Sequence, residues 1–275
     1  MITKNASPTL LTNVSTQSET ALDLLVVSKK TTTNNQQPTT NNQQPTTNNQ
    51  QQMTNNQGLK LIQAVEQADS SERLVGAVQA LANAGLEEGI PTLIAVLSYN
   101  NPGAAVAAVD GLVKLGEMAV LPLLNLIDDY NYGGRAWAIR ALAGIADPRA
   151  LETLLAAAET DFAMSVRRAA VKGLGNLRWS KLADEEIQPT QARVLNTLLL
   201  TCQDPEWVVC YASVVALQTL ATIVKVTQPD SFWNIRNHFE QILNTDVDLA
   251  VRTRVQLALQ QLQQDSVVVS NSHNS

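Results

Sequence analysis

The chain has 275 residues, of which 45% are hydrophobic, 16% charged and 4% aromatic, with a net charge of −6 and a pI near 5.0. That acidity excludes a general nucleic-acid binder, which would be basic. Few aromatics and abundant Ala, Leu and Val exclude a β-sandwich or barrel in favour of packed helices.

In chain order, residues 1–11 show no basic stretch followed by an apolar core, so no secretory signal is read. No run of about 18 apolar residues is seen either, and no membrane insertion is expected. Cys202 and Cys210 are the two cysteines, with no CxxC and no paired His. Neither a disulfide scaffold nor a metal site is expected, and no tightly bound cofactor. These features describe a cytoplasmic, mostly helical protein.

Residues 1–57 read as a low-complexity, mostly disordered tail. Residues 32–52 are three copies of a seven-residue Thr-Thr-Asn-Asn-Gln-Gln-Pro unit, the last ending in Gln52. Nothing in it is apolar, so burial cannot offset the entropy of folding. It is a linker or, alternatively, an interaction tract. Before it lies Ala-Leu-Asp-Leu-Leu-Val-Val at 21–27. That segment is too short for a lone helix, and is either a bare apolar stretch or a docking one.

From 58 to 263 the chain is a repeat. The motif small, two residues, small, Leu, two residues, apolar recurs at 77–84, 108–115, 138–145, 170–177, 213–220 and 255–262. Its leucines, Leu81, Leu112, Leu142, Leu174, Leu217 and Leu259, are spaced 31, 30, 32, 43 and 42. A second amphipathic stretch precedes each motif, as at 90–97, 120–127 and 150–158. The expected architecture is an all-α, HEAT-like superhelical solenoid of about six helix pairs. The two long spacings predict insertions near 178–189 and 225–231, and 264–275 read as a C-terminal tail.

A second ladder supports the register. Asp129, Asp161, Asp204 and Asp246 are followed six residues later by Arg135, Arg167, Cys210 and Arg252. Such pairs cap helices and tie neighbouring hairpins together. In an Arg slot, Cys210 reads as a packed small side chain, and Cys202 likewise.

Charge is uneven along the repeat. Residues 131–179 carry a net +3 between acidic flanks, and five of the eleven aromatics lie in or beside this island: Tyr130, Tyr132, Trp137, Phe162 and Trp179. On the helix whose core face holds Ala138, Leu142 and Ile145, Trp137, Arg140 and Gly144 fall on the opposite side. Gly144 leaves room over that face. The equivalents one repeat later are Ala169, Lys172 and Asn176. Arg140 and Lys172 thus line up on the face that often lines a solenoid's concave groove. Two readings stand: a groove gripping a planar carboxylated ligand or acidic partner, or a solvated charge row with one exposed Trp. An exposed Trp beside Arg is uncommon without a partner, which favours the first. No Ser-His-Asp set, P-loop or GxGxxG is visible.

The string YNYGGRAWAIRALAGIADPRALETLLAAAETDFAMSVRRAAVKGLGNLRW, from Tyr130 to Trp179, and NPGAAVAAVDGLVKLGE, ending at Glu117, resemble the E-type subunit of the cyanobacterial E/F phycocyanobilin lyases, in the bilin-lyase HEAT family. The likeness spans roughly 58–263. It implies a heterodimer with an F-type HEAT-repeat subunit. That pair attaches phycocyanobilin, an open-chain tetrapyrrole substrate, through a thioether to a cysteine of apo-phycocyanin α, and also removes or transfers it. The nucleophilic thiol then belongs to the acceptor. The two propionates would sit on Arg140, Lys172 and Arg168 or Arg178. The rings would lie on Trp137, Tyr132 and Tyr130. Asp161 or Asp129 would face the pyrrole N–H groups, with Asp161 and Tyr132 as candidate catalytic groups and the acid unassigned. The alternative function is a non-catalytic HEAT adaptor or chaperone for phycobiliprotein subunits.

Overall fold

This computed structural model describes residues 46–128, 132–245 and 248–271, with side chains over 56–127, 133–245 and 248–263. The described residues form twelve α-helices in six consecutive pairs and no strand. The first helices of the pairs are α1 (Thr46–Glu66), α3 (Ile90–Val96), α5 (Glu117–Asp128), α7 (Leu151–Thr160), α9 (Asp184–Thr201) and α11 (Pro229–Thr245). The second helices are α2 (Ser71–Ala84), α4 (Pro102–Leu115), α6 (Tyr132–Ile145), α8 (Met164–Gly175), α10 (Trp207–Val224) and α12 (Leu249–Asn271). Short 3₁₀ turns at Glu87–Gly89, Pro148–Ala150 and Trp179–Lys181 join some of them. The expected HEAT-like solenoid is the fold observed.

The motif leucines explain the stacking. Leu81, Leu112, Leu142, Leu174 and Leu217 are at most 1% exposed, while Leu259 is partly buried against the core. Each second helix packs directly on the next, from α2 on α4 through α10 on α12, and makes a continuous second layer. Small residues permit the close approach. A Cβ on Gly173 of α8 would meet Ala143 of α6 at 2.8 Å, and one on Gly175 would meet Ala216 of α10 at 2.6 Å. Two missing side chains on α8 therefore seat it between α6 and α10.

Turn chemistry separates the helices. Asn101 caps α4, its Oδ1 accepting from the Ala104 N–H at 3.0 Å, while its Nδ2 donates to Ser71 Oγ of the preceding pair at 2.8 Å. The chain leaves α2 through Gly85, at φ 61°, in the left-handed conformation that glycine tolerates best.

Three expectations change. The long spacings are taken up mostly by longer helices: α9 and α10 have 18 residues each, against 10 for α7 and 12 for α8. Helix α1 begins at Thr46, inside the polar repeat, and α12 continues to Asn271, beyond 263. Although Ser213, Gln218, Thr219 and Thr222 interrupt it, α10, with mean hydropathy 1.8, is long and apolar enough to cross a membrane by length and composition. It is 56% buried in the protein and packs against α8 and α12, so it is a core helix.

Candidate functional site

The Asp/Arg ladder links repeats in a staggered way. Arg135 of α6 reaches forward to Asp161, Nη2 to Oδ2 at 2.9 Å. Arg167 of α8 reaches forward to Asp204 with two bonds, Nε to Oδ2 at 2.7 Å and Nη2 to Oδ1 at 2.9 Å. Its Nη1 also donates to the carbonyls of Asp161 and Phe162 in its own turn, at 2.9 and 3.0 Å. One repeat later the Cys210 Sγ–H takes over that local role, donating to the Asp204 carbonyl at 2.9 Å. Asp129 and Asp246 lie outside the described residues. The ladder fixes the angle between α6, α8 and α10.

These ties orient a groove of about 380 Å³ between α6 and α8. Arg140, Arg168 and Lys172 line it, with Ser165 and Asn176 between them. All three cations are exposed, and among the described residues none of them forms an ion pair with a carboxylate. One positive charge from α6 and two from adjacent turns of α8, over a floor of Ala143 and Ala169, give the groove a chemistry suited to an anion with an apolar body. Arg168 and Arg140 can each meet a carboxylate through two parallel N–H bonds, whereas Lys172 acts as a point charge. Helical periodicity aligned Arg140 with Lys172 in sequence, and Arg168 entered only through the family resemblance; Ser165 was missed, although it sits one turn before Arg168 on the same stripe.

The other candidates divide. Trp137 is half-buried against the core rather than exposed, and its ring centroid lies 4.5 Å from the Arg140 guanidinium carbon. That cation–π contact makes it a support for Arg140, not an open platform for a flat ligand. Gly144 lines the groove, but the space of its missing side chain is filled: a Cβ there would meet Val113 Cγ2 at 2.7 Å. Asp161 is a correction. Its side chain is fully buried in the ladder, with Oδ1 accepting from the Ala163 N–H at 3.0 Å and Oδ2 paired with Arg135. It presents no face to the groove. Arg178 is exposed outside the groove, and its N–H donates to the Ala146 carbonyl. Tyr130 and the Tyr132 side chain lie outside the described residues.

A second charged cluster sits at the other ends of these helices. Asp147 binds Arg149, with Nε–Oδ1 at 2.8 Å and Nη2–Oδ2 at 3.1 Å, and Lys181 Nζ lies 3.4 Å from Oδ2. Lys181 also pairs with Glu117, so three repeats share one network. The Arg149 hydrogen bond holds the Asp147 carboxyl down at about 2. Every member has a partner, which marks the network as structural. Among the described residues, no group of three or more His, Cys, Asp or Glu side chains converges.

Comparison with known proteins follows the same line. A family model described as HEAT repeats matches residues 120–218. The chain is 58% identical over 206 residues to the phycocyanobilin lyase subunit beta of Pseudanabaena tenuis, covering 74% of this chain and 73% of that one. It is 59% identical over 162 residues to the phycocyanin alpha phycocyanobilin lyase CpcF of Synechocystis, covering 59% and 76%. A solved complex of CpcE and CpcF of phycocyanin lyase from Nostoc sp. PCC7120 matches with a TM-score of 0.57 and 54% identity, over 62% of this chain and 97% of that chain. These relatives carry beta or F designations, so the E-type expectation is not supported. A likeness this extensive makes the chain a member of the phycocyanobilin lyase family of HEAT-repeat proteins.

Proposed function

We propose that the chain is the F-type, or beta, subunit of a two-chain phycocyanobilin lyase, paired with an E-type HEAT-repeat subunit, and that its α6/α8 groove holds the bilin by its propionates. The lyase attaches phycocyanobilin to a cysteine of the phycocyanin α subunit. The acceptor thiolate adds to the ring-A ethylidene, a C–S bond forms, and a proton is delivered to the ring. The observation that carries the groove assignment is the convergence of Arg140, Arg168 and Lys172 on one cleft. Two propionates need cations at fixed separation, and a bilin anchored at both presents its reactive end in one pose. Among the described residues, no carboxylic acid lines this groove.

Reconstitution in bacteria that make phycocyanobilin tests this. Apo-phycocyanin α and the E-type subunit are co-expressed with and without this chain, and zinc-enhanced bilin fluorescence of the α band is read on a denaturing gel. A covalent band that requires this chain supports the lyase role. The double variant Arg140→Glu, Lys172→Glu is then expected to abolish the band while the two HEAT chains still co-elute. An undiminished band in that variant would refute the groove assignment.

A further inference from the structure

The face that carries the cationic groove continues past α8 and turns apolar. On α10, Trp207, Tyr211 and Val215 follow one another at four-residue spacing and are 48, 38 and 37% exposed. On α12, Leu249 and Leu257 are 69 and 45% exposed. Tyr211, Leu249, Arg254 and Leu257 line a groove of about 640 Å³ between these helices. Scattered exposed apolar side chains carry no meaning, but a cluster on two packed helices marks an interaction surface.

Arg254 gives that surface a sign. Its Nη2 donates across to Gln218 Oε1 of α10 at 2.5 Å, and Gln218 Nε2 donates onward to Gln261. Its Nη1 is buried with no acceptor. Arg254 is partly buried in the groove wall and, among the described residues, forms no ion pair with a carboxylate, so its charge favours an occupant that carries an acidic side chain. Asp248 also borders the groove, but its Oδ1 accepts from the Ala250 and Val251 N–H groups and caps α12.

We propose that the α10/α12 groove docks the acceptor, apo-phycocyanin α, through an amphipathic helix whose apolar side chains meet Tyr211, Val215 and Leu257 and whose acidic side chain meets Arg254. The proposal rests on the α6/α8 bilin reading, because position selects this occupant. Helix α8 carries Arg168 and Lys172 and packs directly on α10. A protein seated on α10 and α12 therefore lies next to a bilin held between α6 and α8, within reach for its cysteine. A permanent subunit on the same face would bar the thiol from it.

The test uses the purified heterodimer with its E-type chain, first without bilin. Affinity for apo-phycocyanin α is measured by biolayer interferometry. The double variant Tyr211→Ser, Leu257→Ser alters only partly exposed side chains, and is expected to weaken acceptor binding at least tenfold. Arg254→Met is expected to weaken it several-fold. Co-elution with the E-type chain and visible absorbance of added phycocyanobilin are expected to stay at wild-type levels in all variants. Unchanged acceptor affinity would overturn the proposal. Loss of co-elution in the double variant would also overturn it, by assigning the face to the E-type chain. A wild-type heterodimer that binds no bilin would sink the α6/α8 reading instead, while the acceptor affinities would still decide the docking surface.

Discussion

Arg167→Met removes the strongest tie in the ladder. The wild-type guanidinium makes two bonds to Asp204 and two to turn carbonyls, all between 2.7 and 3.0 Å. The Arg167 and Asp204 side chains are only 13 and 7% exposed. After the substitution, Asp204 keeps the Glu206 N–H at 2.9 Å but loses its counter-charge in a largely buried site. Breaking one side of a buried pair costs about 3–5 kcal/mol. For a chain of this size that corresponds to a melting-temperature drop of roughly 6–20 °C. Urea denaturation followed by circular dichroism at 222 nm reads it directly. The double variant Arg167→Met, Asp204→Asn should recover at least half of the loss, because it removes the stranded charge and keeps an acceptor for Glu206. A single-variant loss below about 1 kcal/mol, or a double variant as unstable as the sum of the singles, would refute the view that the ladder is a buried charge tie.

Other substitutions separate packing from function. Gly173→Ala should cost about 1–3 kcal/mol, because its Cβ would sit 2.8 Å from the Ala143 Cα and force α6 from α8. Gly76→Ala in α2 meets nothing within 4 Å and should stabilise by roughly 0.5–1 kcal/mol; paired denaturation curves check both. Asp147 titrates near 2 in the folded protein, below the 3.8 of a free Asp. Its contribution is complete above about pH 4 and disappears as pH falls towards 2, amounting to about 2 kcal/mol. Acid unfolding of Asp147→Asn compared with wild type over that window should show the difference shrinking as pH falls, and a constant difference would contradict it. Lys172→Glu, at an exposed position, should leave stability within about 0.5 kcal/mol of wild type while greatly weakening bilin absorbance of the heterodimer.

Much of the fold was readable because the repeat motif is itself a packing rule. Small residues at 138 and 141, with Leu142 beside them, let α6 settle between its neighbours, and all three are fully buried. The ladder's role was readable as well, but not its stagger. Asp161 precedes Arg167 by six residues, yet its carboxylate is held by Arg135 from the repeat before. Sequence spacing reports where a helix begins, whereas the reach of an Arg side chain decides which repeat it ties. The status of Trp137 was hidden for a related reason. Placement opposite the core face does not expose a large ring when a long side chain three residues on can fold over it, as Arg140 does.

The E-versus-F error has a structural cause. In YNYGGRAWAIRALAGIADPRAL, the positions buried in this fold include Gly134, Ala138, Ile139, Ala141, Leu142, Ile145, Asp147 and Ala150. These residues pack α6 and close its turn, so the string mostly reports how one HEAT hairpin sits on the next. Two partner chains built from the same hairpin share that demand whatever they bind. On the bilin and acceptor readings proposed above, the residues that tell such chains apart lie where packing is indifferent: on exposed second-layer positions such as Arg140, Arg168 and Lys172, and on Tyr211 and Leu257 further along. A motif that identifies the scaffold so strongly is, for that reason, weak evidence about which partner of the pair carries it.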